Sequence, residues 1–143
     1  MTDLQGAIGT AQLNKLDSFI KERDQTSDYY LENLSEVKWL SLPMKPKNGV
    51  HAWQSYVTRV LHSGGVKFRN SVMESLGKNG IATRPGTHAI HLLGYYANRF
   101  GFKPTDFPNS LIASETSMAI PLHNKLLVSD QKLVVNLIRN IAN

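Results

Sequence analysis

Apolar positions recur first with helical spacing. Leu4, Ile8 and Ala11 form one stripe, and Leu13, Leu16 and Ile20 form a second, rotated about the axis. Thr2-Asp3-Leu4-Gln5 is a capping-box pattern, with Thr2 as N-cap and Gln5 three residues on. The spacing continues through Tyr29, Tyr30, Leu31 and Leu34 and predicts one long helix over about 2–34. A helix apolar on two sides is normally covered on two sides. Gly6, Ala7, Gly9 and Ala11 would also let another backbone approach closely. The helix is therefore either central to its own core or covered by a further domain or subunit.

The pattern then changes period. Trp39-Leu40-Ser41-Leu42 reads as a short extended piece ended by Pro43, and Lys45 to Gly49 as a polar loop. His51 to Leu61 is rich in aromatic and β-branched residues and predicts a strand. Ser63-Gly64-Gly65 is a turn; Phe68, Val72, Met73 and Leu76 predict a helix stopped at Asn79-Gly80. Ile81-Ala82-Thr83 can be a short strand, and Pro85-Gly86 a turn or irregular rim. A helix begins after His91, a loop spans Phe102 to Pro108, and a short helix spans Asn109 to Ser117. Met118 to Leu122 reads as a strand. Ser129 caps a final helix with Val134, Leu137, Ile138 and Ile141 on its face. The expected fold is α/β (α+β): helices on one side of a three- or four-stranded sheet, α/β layer over about 37–143, long helix in front.

Composition narrows the class. With 143 residues, 41% hydrophobic and 19% charged, the chain suits one domain with a real core. No apolar run approaches bilayer length, no secretory pattern opens the chain, and a cytoplasmic location is expected. The lack of cysteine removes disulfides, cysteine-based zinc sites and thiol catalysis. The net charge of +5 allows a polyanionic or phosphorylated partner. The basic residues are scattered in pairs, however, which argues against nucleic acid.

Chemistry concentrates in Gly80 to Tyr96, GIATRPGTHAIHLLGYY. His88 and His91 are three apart, but no cysteine, acidic third ligand or HExxH pattern accompanies them, so no metal site is expected. No GxSxG elbow exists, and Ser63 to Lys67 lacks phosphate-loop spacing. Recognition of an anion or sugar fits better. Arg84 offers a planar fork for carboxylate or phosphate, and His88 and His91 can bond hydroxyls. The alternative is that these are surface residues of a decorated loop. Trp53, Tyr56, Tyr95 and Tyr96 are expected to pack in the core.

Four stretches, in order, resemble one family: MTDLQGAIGTAQLNKLDSFI, HAWQSYVTRV, NGIATRPGTHAIHLLGYY and SMAIPLHNKLLVSDQKLVVNLI. The family is the DegT/DnrJ/EryC1/StrS group of pyridoxal-phosphate-dependent sugar aminotransferases. The resemblance covers essentially the whole chain and is to the C-terminal small domain. It implies an enzyme that aminates a nucleotide-linked keto-sugar, with glutamate or glutamine as amino donor and pyridoxal 5'-phosphate as cofactor. It also implies that the coenzyme-anchoring lysine lies in a large domain ahead of this segment. No lysine of this chain matches that motif, so the chain alone is expected to bind no cofactor and to be inactive. The first helix would bridge the large domain and a partner subunit in a homodimer. Arg84, with His91 and then His88, would bind or orient substrate. Where many members carry a tyrosine or phenylalanine pair, this chain has Gly86-Thr87. A different class remains open: a stand-alone nucleotide-sugar-binding or dimerisation module without catalysis.

Overall fold

The computed structural model describes residues 1–141. The opening helix α1, Asp3–Leu13, is capped as its sequence demands. The Gln5 amide donates to Thr2 Oγ1 at 3.4 Å, and the Thr2 amide donates to Gln5 Oε1 at 2.9 Å. The helix does not run on to Leu34. It breaks at Asn14-Lys15 and restarts as α2, Leu16–Leu34. Ser18 Oγ donates to the Lys15 carbonyl at 2.8 Å, a local bond of the kind that competes with helix continuation. The first apolar stripe thus lies on α1, and the second straddles the break, with Leu13 ending α1 and Leu16 and Ile20 on α2.

The sheet has the order β1-β2-β4-β3, with every pair antiparallel. Its strands are β1 (Leu40–Ser41), β2 (Tyr56–Val60), β3 (Arg84–Pro85) and β4 (Ser117–Ile120). Tyr56, Thr58 and Val60 alternate as buried residues along β2. They join Met118 and Ile120 of β4 and Tyr30 and Leu34 of α2. Val72 and Leu76 come from α3 (Gly65–Lys78), and Val134, Val135 and Ile138 from α6 (Val128–Asn140). Helices α2, α3 and α6 therefore close one face of the sheet, as expected. Two shorter helices, α4 (Gly94–Phe100) and α5 (Pro108–Thr116), follow β3.

Several boundaries differ from expectation for identifiable reasons. The predicted strand His51 to Leu61 shrinks to Tyr56–Val60 because Trp53 sits at φ +48, outside strand geometry. Ile81 to Thr83 is not a strand. The Ile81 amide donates to the Leu76 carbonyl at 3.0 Å with Gly80 at φ +79, so this segment caps α3 in a Schellman-type stop. Pairing begins instead at Arg84, and Pro85 is tolerated because β3 is an edge strand. Gly86 is required by space, not by unusual dihedrals. A Cβ there would lie 2.4 Å from Val57 Cγ1 and 2.7 Å from Ser117 Oγ. Ser129 does not cap α6; Leu127 is the N-cap, and its amide donates to Asp130 Oδ2 at 3.2 Å. Trp53 and Tyr56 are buried as expected, whereas Tyr95 and Tyr96 on α4 are exposed, at 65% and 39%. At the surface the Tyr95 ring meets that of Tyr96 edge-on, and Tyr96 stacks on Phe100.

Candidate functional site

Two loops converge at the β2-start and β4-end edge of the sheet, and α2 holds both. Tyr30 Oη donates to the Pro121 carbonyl at 2.9 Å. Asn124 Nδ2 donates to the Phe19 carbonyl at 2.8 Å and to Glu22 Oε2 at 3.2 Å. Arg23 Nε donates to Asn124 Oδ1 at 3.1 Å, while its Nη1 donates to the Trp53 carbonyl at 3.3 Å. Arg23 thereby ties the Pro121-Leu122-His123-Asn124 turn to the Trp53 turn. The latter is fixed further by its indole Nε1–H, which donates to Asp24 Oδ1 at 2.9 Å. Lys45 Nζ bridges Asp24 and Asp28 at 2.7 Å each. The Lys45 hydrogen bond, with that of Trp53 behind it, holds the Asp24 carboxyl below the usual range.

The opposite rim is Arg84 to His88. Arg84 pairs in register with Ala119, which pairs with Val57 on the other side. Partners in register project to the same sheet face. Arg84 therefore emerges on the face away from the helices, over the small Ala119 side chain. It is exposed, and among the described residues it has neither hydrogen bond nor ion pair. The nearby Arg69 contrasts with it: buried, it donates to the Ser117 carbonyl at 2.9 Å, and burial lowers its pKa.

Two clefts meet at Arg84. The larger, of about 690 Å³, is walled by Ile81, Leu122, Leu126 and Leu133, with His123 and Asp130 at its edge. The smaller, of about 370 Å³, is walled by Val57, Pro85, Gly86, Thr87 and His88. Both volumes fall in the range of small-molecule sites. Arg84 and His88 thus line one cleft together. His91 lies apart: it is buried, its ring sits 5.0 Å from that of Phe107, and its Nε2 has no hydrogen-bond partner. It lines neither cleft.

Gln54, Ser55 and His123 line these clefts without having been singled out as binding residues. Their signals in the sequence are weak: Gln54 and Ser55 fall inside a predicted strand, and His123 falls in the last of the family-like stretches. Among the described residues no three histidine or acidic side chains gather as a metal ion requires. No lysine lines either cleft, so these walls do not fit a covalent anchor for an aldehyde coenzyme. Among the described residues no helix is long and apolar enough to cross a membrane.

The sequence model of the DegT/DnrJ/EryC1/StrS aminotransferase family matches residues 1–139. The chain is 30% identical over 143 residues to the spore coat polysaccharide biosynthesis protein SpsC of Bacillus subtilis, covering 99% of this chain and 37% of that protein. Among solved structures it is similar to the apo-form of the putative sugar aminotransferase Spr1654 from Streptococcus pneumoniae. The TM-score is 0.89 and the identity 26%, over 96% of this chain and 34% of that one. The PLP-form of the same protein has the same fold, with a TM-score of 0.89 at 24% identity, over 100% of this chain and 37% of that one. The chain therefore spans little more than a third of the length of the relatives it matches.

Proposed function

The chain belongs to the DegT/DnrJ/EryC1/StrS aminotransferase family, and on that premise we propose that it is the C-terminal small domain of a pyridoxal-phosphate-dependent transaminase acting on a nucleotide-linked keto-sugar. The observation that carries this reading is Arg84: an unpaired guanidinium at the meeting of two clefts, on walls that offer no lysine. Arginine recognises a phosphate or carboxylate through two parallel hydrogen bonds. Thr87 and His88 beside it suit sugar hydroxyls. His91, buried against Phe107, lines neither cleft and is given no direct part in binding.

The coenzyme supplies an electron sink for amino transfer when bound, and other residues of the enzyme anchor it. This segment binds and orients. Glutamate or glutamine is the proposed donor, and the cytoplasm the proposed location. Helix α1 is the proposed contact with the large domain and with a second subunit. It buries none of its own residues, and Leu4, Ile8 and Leu13 are 72%, 55% and 68% exposed.

The experiment is a chimera that places this chain behind the large domain of a full-length relative. Transamination of a nucleotide-linked keto-sugar is expected. Arg84→Ala should lower kcat/KM roughly ten- to hundredfold, as for loss of a charge-assisted hydrogen bond. An active chimera indifferent to Arg84→Ala and His88→Ala would remove these residues from the site. A second reading, a stand-alone nucleotide-sugar-binding module, draws on the fact that this chain alone walls both clefts. It requires micromolar affinity without any large domain, whereas the leading reading expects millimolar affinity.

A further inference from the structure

We propose that the two clefts form one groove that takes a nucleotide-sugar in a single direction: nucleobase in the larger cleft, diphosphate at Arg84, sugar in the smaller cleft. This rests on the substrate class proposed above and adds its orientation. Gln54, Ser55, Arg84 and Ala119 line both clefts, so the clefts adjoin along this strip. Arg84 is the cationic residue common to both, and it stands over an alanine that leaves the passage open.

The two ends differ in the chemistry they accept. The larger cleft has leucine and isoleucine walls, which favour the flat apolar face of a base. Its polar edge includes Asp130, whose carboxylate repels a phosphate but accepts a hydrogen bond from a ring N–H or exocyclic amine. The smaller cleft is proportionately more polar and bounded by Thr87 and His88, which suit hydroxyls. It is also too small for a whole nucleotide-sugar beside Gly86, which packs against Val57 and Ser117. A diphosphate at Arg84 with the base on the Leu126 side satisfies every wall; the reverse placement sets hydroxyls on leucines.

The test is amide chemical-shift mapping of the full chain with uridine diphosphate, thymidine diphosphate, glucose 1-phosphate and UDP-glucose. The diphosphates should shift Leu126 and Leu133, glucose 1-phosphate should shift Thr87 and His88, and UDP-glucose both sets. Arg84→Gln should weaken each at least fivefold. Ala119→Val, which suits a strand and so keeps the fold, should weaken UDP-glucose more than uridine by filling the passage. Diphosphates shifting Thr87 and His88 with glucose 1-phosphate shifting Leu133 would overturn the direction and leave the substrate class standing. No shift from any of the probes, with the chimera active, would overturn the groove alone. An inactive, folded chimera would instead strike the reading beneath it.

Discussion

The two walls of the paired clefts are built in opposite ways. On one side, the Trp53 turn and the Pro121 to Asn124 turn are bound to α2 by Arg23, Tyr30 and Asp24. On the other side, the Arg84 to His88 rim hangs on the sheet edge. Its anchors are the β3 pairing and a Gly86 amide that donates to the Ser117 carbonyl at 3.2 Å. The first side spends its polar groups on the fold. The second leaves its polar groups open. A binding surface needs that division: a fixed wall that defines shape and an unpaired wall that supplies recognition.

The sharpest way to break the comparison is to truncate the fixed side. Trp53 is 1% exposed and stacks on Tyr56 at 5.6 Å. Trp53→Ala should cost about 3–5 kcal/mol in chemical denaturation, as for other buried aromatic truncations. Arg84→Ala should stay within about 0.5 kcal/mol, as for an exposed residue with no partner. Equal losses at the two positions would abolish the distinction.

The same division governs what was legible in the sequence. The hydrophobic periods of α2, α3 and α6 and the extended runs at Leu40, Tyr56 and Met118 were readable because the core dictates them. The capping box at Thr2 and the stop at Asn79-Gly80 were readable because local hydrogen bonding dictates them. Trp53 misled. A tryptophan in a β-rich run reads as strand, whereas its positive φ goes with a local bond from its amide to His51 Nδ1 and an indole bond to Asp24, which only the fold brings near. Pro85-Gly86 reads as a turn or irregular rim, and the spatial need for glycine is hidden because sequence carries no record of Val57 standing opposite. Arg84 and His88 were legible as candidate binding residues by type. Their shared cleft was not, because Gln54, Ser55, Val57 and Ala119 come from distant parts of the chain. The exposure of Tyr95 and Tyr96 was hidden because an aromatic pair in a helical run reads as core, and α4 buries none of its residues.

A smaller effect is expected at Asn124, which no apolar contact explains. Its side chain donates twice to α2 and accepts once from Arg23. Asn124→Ala removes all three bonds and leaves the Phe19 carbonyl without this donor. The cost should be about 1–3 kcal/mol. Asn124→Asp should be no milder, because the carboxylate keeps the Arg23 bond but faces Glu22 without a proton to donate. Thermal denaturation of the pair separates hydrogen-bond geometry from charge. If the aspartate variant proves as stable as the original, the donation from Nδ2 is not what holds the turn.

The smallest effect is a pH response confined to the fixed side. The carboxyl of Asp24 is held below its ordinary 3.8, chiefly by Lys45 and then by the Trp53 indole. Its contribution is therefore complete above that value and fades as the pH falls below it. The pKa of Lys45 is raised above its ordinary 10.5 by its bonds to Asp24 and then Asp28, so its contribution fades only above that pH. The clasp should thus hold between the two limits and loosen first in acid. Both side chains are substantially exposed, at 35% and 46%, and solvent screens the pair to about 1 kcal/mol or less. Fluorescence of Trp53 in a Trp39→Phe background should show a step below the ordinary carboxyl value of 3.8, damped by added salt. Asp24→Asn should erase that step while keeping an acceptor for the indole. A step that survives the substitution would place the acid sensitivity elsewhere and leave the Trp53 turn fastened by packing alone.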